Sequence, residues 1–316
     1  MSEILTIVVP SYNISKYVDD ILPFYANENL IGKLKVYLID DGATDDTKFK
    51  VQKYIDQYPK IFEFFHKENG GHGSVINFAV GIIKTKYFMI IDGDDWVCTE
   101  NLIRFVDYLT KVDDDLIVSN CTYEFSNRST VSFGIRENGD YNFRIHTVTY
   151  KTSIFAKNCI KVRENVFYED SEYVLYPLEF VKKISYFNEV VARYRQDDPN
   201  QSVNPEVQLK RKAHYDLVLE DLLLYFERIK KIKTFDTRLF KFIKDTITRI
   251  MYGSFELNWS YSRNPKDAIN DCRKINIRYK KCSDIYENMK KKYKRFNQMK
   301  AFNFNGIRIA RLVHRS

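Results

Sequence analysis

The sequence is sparing with glycine and proline, 11 and 7 among 316 residues, which excludes collagen-like and low-complexity chains. Cysteine is scarce too, with five at positions 98, 121, 159, 272 and 282 and no C-x-x-C pair. That excludes a disulfide framework or a cysteine zinc cluster and suits a reducing compartment. No window approaches the ~20 apolar residues of a membrane-spanning helix, and the chain does not open on a basic segment followed by an apolar run. The expectation is a cytoplasmic chain, neither exported nor membrane-spanning. What is present is core material: 44% hydrophobic and 15% aromatic residues, too much for a disordered chain. The length calls for two domains, or for one with an appendage.

The formal net charge of +8 conceals two halves of opposite sign. With the boundary at Pro205, residues 206–316 hold 27 Lys and Arg against 12 Asp and Glu, while residues 1–205 hold 23 against 30. An acidic half repels a phosphate backbone, so no nucleic-acid partner is expected; a basic half suits an anionic surface.

Residues 1–205 alternate strand-like runs with helical periodicity. Ile4–Val9, Lys35–Ile39, Ile61–Phe65 and Tyr87–Ile91 read as strands; Ser15–Tyr25, Thr47–Tyr58 and Gly73–Ile83 read as helices. The alternation predicts an α/β domain with a mostly parallel central sheet. In such sheets ligands bind beyond the strand C-termini, and polar loops follow the strands: Pro10-Ser11-Tyr12-Asn13, Asp40-Asp41-Gly42, Asn69-Gly70-Gly71-His72-Gly73 and Asp92-Gly93-Asp94-Asp95. Residues 206–316 predict a smaller helical domain. It comprises two long helices between Glu206 and about Ser262, which Gly253 interrupts, another from Asn264-Pro265, and a basic tail from Lys290 carrying Tyr293, Phe296, Phe302 and Phe304.

Three carboxylates in four residues, Asp92, Asp94 and Asp95, repel one another at the end of a buried strand unless a cation or hydrogen-bond donors compensate. Oxygen ligands select Mg²⁺ or Mn²⁺, and a site with few protein ligands leaves room for substrate phosphates. The bland alternative is a solvated acidic turn that caps a helix. Asp41 suits a base N–H or ribose hydroxyls, or merely caps a helix. The Gly-rich loop, with Asn77 one turn later, offers amides to an anion. His72 within it faces the donor sugar or acceptor, or is a surface residue; His66, His146, His214 and His314 read as structural.

The ordered set of loops resembles family 2 glycosyltransferases over roughly residues 4–205. The resemblance implies a GT-A nucleotide-sugar-binding domain and an inverting, metal-dependent transfer from a nucleotide diphosphate sugar. It implies that Asp92 and Asp94 form the D-x-D element holding Mn²⁺ or Mg²⁺ against the donor diphosphate, with Gly93 between them and Asp95 as support. Pro10, Tyr12 and Asp41 match positions that wrap the nucleoside, which favours a UDP-sugar; Asn69, Gly73 and Asn77 belong to the donor loop. The family's catalytic carboxylate falls in Glu169-Asp170, with Asp170 as general base; the alternative there is an acidic helix start. Tyr194-Arg195 and Gln201-Ser202-Val203 match the segment closing over the donor, where Arg195 reaches diphosphate. Ile76 stands where many members carry Arg. No histidine lies between His146 and His214, so the third metal ligand stays open.

The implied acceptor is a hydroxyl of a growing surface glycan, such as exopolysaccharide, teichoic acid or a glycoprotein glycan, in some relatives lipid-linked. The basic tail then docks on the inner face of the membrane through its aromatics and the Lys290–Arg295 cluster. A solvated face or a homo-oligomer interface are the alternatives. A nucleotidyltransferase of related fold, or a non-catalytic nucleotide-sugar-binding scaffold, is the competing function. The first should show a Gly-rich loop with a basic residue after strand one, where this sequence has Pro10-Ser11-Tyr12-Asn13, and the second leaves the acidic loops unexplained. A dinucleotide-binding dehydrogenase is excluded because G-x-G-x-x-G is missing from the first turn.

Overall fold

The computed structural model describes residues 3–135, 139–196, 202, 204–262 and 264–307. Gln201, Val203 and His314 lie outside them. Two compact units divide the chain, Met1–Asp198 and Pro199–Ser316.

In the first unit, β1 (Leu5–Pro10), β2 (Leu34–Asp40), β3 (Phe62–His66) and β4 (Tyr87–Ile90) pair in parallel in the order β3-β2-β1-β4. The crossovers carry α1 (Val18–Ile21), α2 (Thr47–Gln57) and α3 (His72–Ile82). Leu5 through Val9 are all buried, as expected for a strand covered on both faces. The helix expected over Ser15–Tyr25 is shorter than its periodicity suggests. It gives way to a 3₁₀ turn over Leu22–Phe24, because Pro23 has no N–H to continue an α-helical ladder.

The rest of the sheet is mixed. β5 (Trp96–Val97), α4 (Thr99–Leu109), β6 (Leu116–Phe125), β7 (Arg128–Ser132), β8 (Val148–Lys151), α5 (Thr152–Asn158), α6 (Asp170–Leu175) and β9 (Ile184–Arg195) follow in chain order. β8 joins β4 antiparallel and extends the order to β8-β6-β9-β5, with β7 forming a hairpin on β6. The parallel β6–β9 ladder is irregular on either side of Asn120. Such bulges bend strands and re-aim side chains near sites; here the next pairs include Tyr123 with Tyr194.

The second unit is helical: α7 (Pro205–Lys210), α8 (Lys212–Ile229), α9 (Thr237–Glu256), a π-helical turn over Leu257–Tyr261, α10 (Pro265–Tyr279), α11 (Ser283–Lys292) and α12 (Lys294–Ala301). The two expected long helices are α8 and α9, but Gly253 does not interrupt the second. The tail aromatics require a correction, because Phe296 and Phe304 are 0% and 1% exposed. Phe255 meets them at centroid distances of 4.8 and 5.8 Å, and Tyr293 stacks on Tyr252 at 3.8 Å. A small helical unit draws on large apolar side chains to close its core, and Phe296, Phe304 and Tyr293 are packed there and are not available to a membrane; Phe302 stays exposed.

Candidate active site

The loops at the C-terminal ends of β1, β2, β3 and β4 are stapled to one another by their own polar side chains. After β1, Ser11 donates its N–H to the Ile39 carbonyl at 2.8 Å. Asn13 accepts from the Thr44 N–H at 2.8 Å, and Asp45 accepts from the Ser15 N–H at 3.0 Å. Tyr12 stays half exposed at this edge. Gly93 lies so close beneath the Pro10 carbonyl that a Cβ there would sit 2.4 Å from that oxygen. The first and fourth loops are therefore in backbone contact, which only glycine permits.

Asp41 is buried, and its carboxylate accepts from the N–H groups of Gly70 (3.0 Å) and Gly71 (2.8 Å) and from Lys67 Nζ (2.6 Å). It holds the Gly loop, and a nucleobase N–H at Asp41 would have to share these acceptors. Asn69 is exposed on that loop. Asn77 faces a different partner: its amide donates to the Val162 carbonyl (2.9 Å) and accepts from the Val162 N–H (3.0 Å). The Gly70 carbonyl accepts from Asn165 N–H at 2.8 Å. Together these bonds fasten the start of α3 to the segment leading into Glu169 and Asp170.

At the centre stands His72, the first residue of α3. Its Nδ1 is 2.7 Å from Glu169 Oε1 and 3.7 Å from Asp170 Oδ1, and its Nε2 is 3.2 Å from Asp92 Oδ1. Two acidic motifs nearly 80 residues apart in the chain thus meet across one imidazole. Burial opposes charge on this ring, but hydrogen bonds and charges of Asp92 and Glu169 outweigh it and hold it well above 6.5. Burial would likewise raise Asp92, yet the His72 imidazolium wins and holds that carboxyl low. Asp170 moves the other way: loss of hydration first, then the charge of Glu169, raise it to about 7. Solvent tempers that shift, because the Asp170 side chain is 51% exposed.

Asp95 supports the acidic loop from inside, where Oδ1 accepts from the Arg195 N–H at 2.8 Å. Desolvation, then Asp92 and Asp94, raise its carboxyl far above the carboxylate range. Arg195 donates from Nε to the Asp94 carbonyl at 2.8 Å, and its guanidinium lies about 5 Å from the Tyr17 and Trp96 rings. It braces the D-x-D loop from this position.

Two further residues were not assigned to the site from sequence. Burial first, and then the charges of Asp92, Asp95, Asp94 and Asp170, raise the Tyr194 phenol and keep it neutral. His146 is buried and stacks on Tyr194 at 4.8 Å; burial pushes its imidazole down to about 4. A lone histidine in an unassigned loop carries no sequence signal. The adjacent Tyr194-Arg195 dipeptide did point here.

The donor chemistry fits a divalent ion. His72, Glu169 and Asp170 offer ligand atoms within 4.8 Å of one another, with Asp92 beside them. Buried His72 Nε2 and Asp95 Oδ2 have no well-aligned hydrogen-bond partner among the described residues. Such orphaned atoms at a cluster of acids suit a cation.

An α/β sheet with acidic loops on one edge and a helical region after it is the architecture of a GT-A sugar-transferring enzyme. The family model described as "Glycosyl transferase family 2" matches residues 6–170, more than half of the chain, and the chain belongs to that family: it is a glycosyltransferase. An uncharacterized glycosyltransferase of Mycoplasma pneumoniae is 34% identical over 29% of this chain and 32% of its own length. Chondroitin synthase of Escherichia coli is 25% identical over 86% of this chain and 36% of its own. The teichoic acid poly(glycerol phosphate) polymerase of Staphylococcus epidermidis is 26% identical over 57% and 26%. The chain thus spans about a third or less of these relatives' lengths. Among solved structures, S. aureus TarS 1–349 with UDP-GlcNAc aligns with a TM-score of 0.62 at 17% identity, covering 93% of this chain and 92% of that one. Mannosyltransferase PcManGT from Pyrobaculum calidifontis, with GDP-Man and Mn²⁺, gives 0.57 at 15% identity, covering 100% and 89%. Among the described residues no helix is long and apolar enough to cross a membrane.

Proposed function

We propose that this glycosyltransferase inverts the anomeric centre of a nucleotide diphosphate sugar, a UDP-sugar, in transferring it to a hydroxyl of a growing surface glycan. The observation that carries this reading is the seating of Asp170. It is the first residue of α6, half exposed, and lies near His72 Nδ1 while Asp92 meets Nε2 of the same ring. A carboxylate raised above its ordinary range by lost hydration and by Glu169, beside the donor-phosphate loop, suits a general base. Asp170 takes the acceptor proton as the acceptor oxygen bonds to the anomeric carbon from the face opposite the departing diphosphate. The bond from that carbon to the phosphate oxygen breaks, and the nucleotide diphosphate leaves. Asp92 and Asp94 would hold Mn²⁺ or Mg²⁺, which when bound offsets the leaving group's negative charge. Tyr12, Pro10 and Asp41 line the nucleoside end; Asn69, Gly73 and Asn77 form or brace the donor loop, and Arg195 braces the acidic loop. UDP as nucleotide is supported by the UDP-GlcNAc in the TarS structure, and a metal by the Mn²⁺ in that of PcManGT.

The test is donor binding. Asp94→Asn should weaken UDP affinity roughly tenfold or more in Mn²⁺ and leave it unchanged in chelator, as read by titration calorimetry. Equal affinities for both proteins in Mn²⁺ would refute the ligand role. A screen of nucleotide sugars for metal-dependent UDP release would then identify the donor.

Peripheral attachment to an anionic membrane now rests on charge and on the exposed Phe302. Of the tail cations, Lys290 and Lys292 pair with Glu287 (2.8 Å) and Asp245 (2.6 Å). Truncation after Met289 would strip Phe296 and Phe304 from the core, so charge reversal is the cleaner probe. At ~1 kcal/mol per basic residue near such a surface, Lys291→Glu with Lys294→Glu should release the protein from phosphatidylserine vesicles at low salt. Unchanged sedimentation would leave a solvated face.

A further inference from the structure

We infer that His72 is a protein ligand of the divalent ion, presenting Nε2 beside Asp92 while Glu169 fixes the ring. The inference rests on the metal-dependent reading above and adds the residue that completes the site.

Glu169 is 2% exposed, and a carboxylate can only accept. The 2.7 Å contact therefore places a proton on Nδ1 of His72. In the neutral ring this leaves the lone pair on Nε2, the atom turned toward Asp92. A histidine whose other nitrogen donates to a buried carboxylate is the arrangement that orients metal-binding imidazoles and raises their basicity. The spacing agrees with it. Two ligand atoms in neighbouring positions of an octahedral site with bonds of about 2.1 Å lie about 3 Å apart, and Nε2 and Asp92 Oδ1 are 3.2 Å apart.

The loop is also rigid enough to hold a ligand. Gly71 N–H is fixed to Asp41, and Gly73 lies directly against the Arg163 carbonyl. His72 between them has little freedom to leave. One nitrogen among oxygens favours Mn²⁺ over Mg²⁺, since imidazole suits transition metals and Mg²⁺ prefers an all-oxygen shell.

Pulsed EPR on the full chain with Mn²⁺ and UDP tests this. The unmutated protein and His146→Phe should both show ¹⁴N coupling from a directly bound imidazole, and His72→Gln should lack it. His72→Gln should also bind Mn²⁺ about 10- to 100-fold more weakly and lose most of its preference over Mg²⁺. Histidine labelled with ¹⁵N in the unmutated chain should replace the ¹⁴N pattern; with His146→Phe, this keeps the test decisive if His72→Gln fails to fold. Mn²⁺ bound without imidazole coupling overturns the inference and leaves the metal-dependent reading standing. So does coupling that survives His72→Gln or vanishes in His146→Phe. No Mn²⁺ retention at all, with or without UDP, overturns both.

Discussion

Asp170→Asn is expected to lower kcat by about 10³-fold or more, while UDP and Mn²⁺ affinities stay within about twofold. General-base catalysis contributes some 10²–10⁴-fold, and Asn keeps the shape of Asp but cannot accept the acceptor's proton. The selectivity follows from where the side chain points. Asp170 lies 3.7 Å from His72, farther than Glu169 at 2.7 Å, and is half open to solvent where an acceptor would enter. Glu169 is buried and bonded to the ring that touches Asp92, so Glu169→Gln should disturb metal affinity as well as rate. Single-turnover transfer together with calorimetric UDP binding separates the two variants. Full activity in Asp170→Asn would remove this carboxylate from the mechanism.

Gly73→Ala should be the most damaging single-methyl change in the catalytic unit. The added Cβ would lie 2.1 Å from the Arg163 carbonyl oxygen and 3.1 Å from Glu169 Cγ. A main-chain oxygen cannot swing aside, so the start of α3 must move away from the segment carrying Glu169 and Asp170. Overpacking of this kind costs about 1–3 kcal/mol, and a shift near 1 Å in a catalytic array costs about 10²-fold in rate. Gly81, in the same helix, is the control, since nothing lies within 4 Å of a Cβ built there. Gly81→Ala should hold or raise the melting temperature, alanine being about 1 kcal/mol better than glycine inside a helix. If both variants melt and turn over alike, the close approach at Gly73 is not what positions the acids.

Much of the catalytic unit was legible because its parallel half is written in local patterns. Each of β1 to β4 is an apolar run, and each acidic or glycine-rich loop follows one directly. The same rule failed between Cys121 and Tyr150. There a hairpin and a short antiparallel strand are hard to tell from loop, and Tyr123 and His146 went unassembled. The availability of Phe296 and Phe304 was misread for a related reason. Aromatics spaced among lysines look alike whether they enter a membrane or a core, and only the packing of Phe255 between Phe296 and Phe304 decides it.

The sequence by itself determined the fold class and the four polar loops, because strand periodicity and the chemistry of Asp, Gly and Asn act over a few residues. Only the tertiary structure decided which of those groups meet. Asp41 and Asn77 turned out to hold loops together, Arg195 to brace the acidic turn, and His72 to reach Glu169 across 97 positions of chain while also meeting Asp92. Such pairings depend on the parallel pairing of β1 with β4 and on the seat of α3 against residues 162–165. Contact across that distance is set by packing and by the satisfaction of buried polar groups, which no local pattern records.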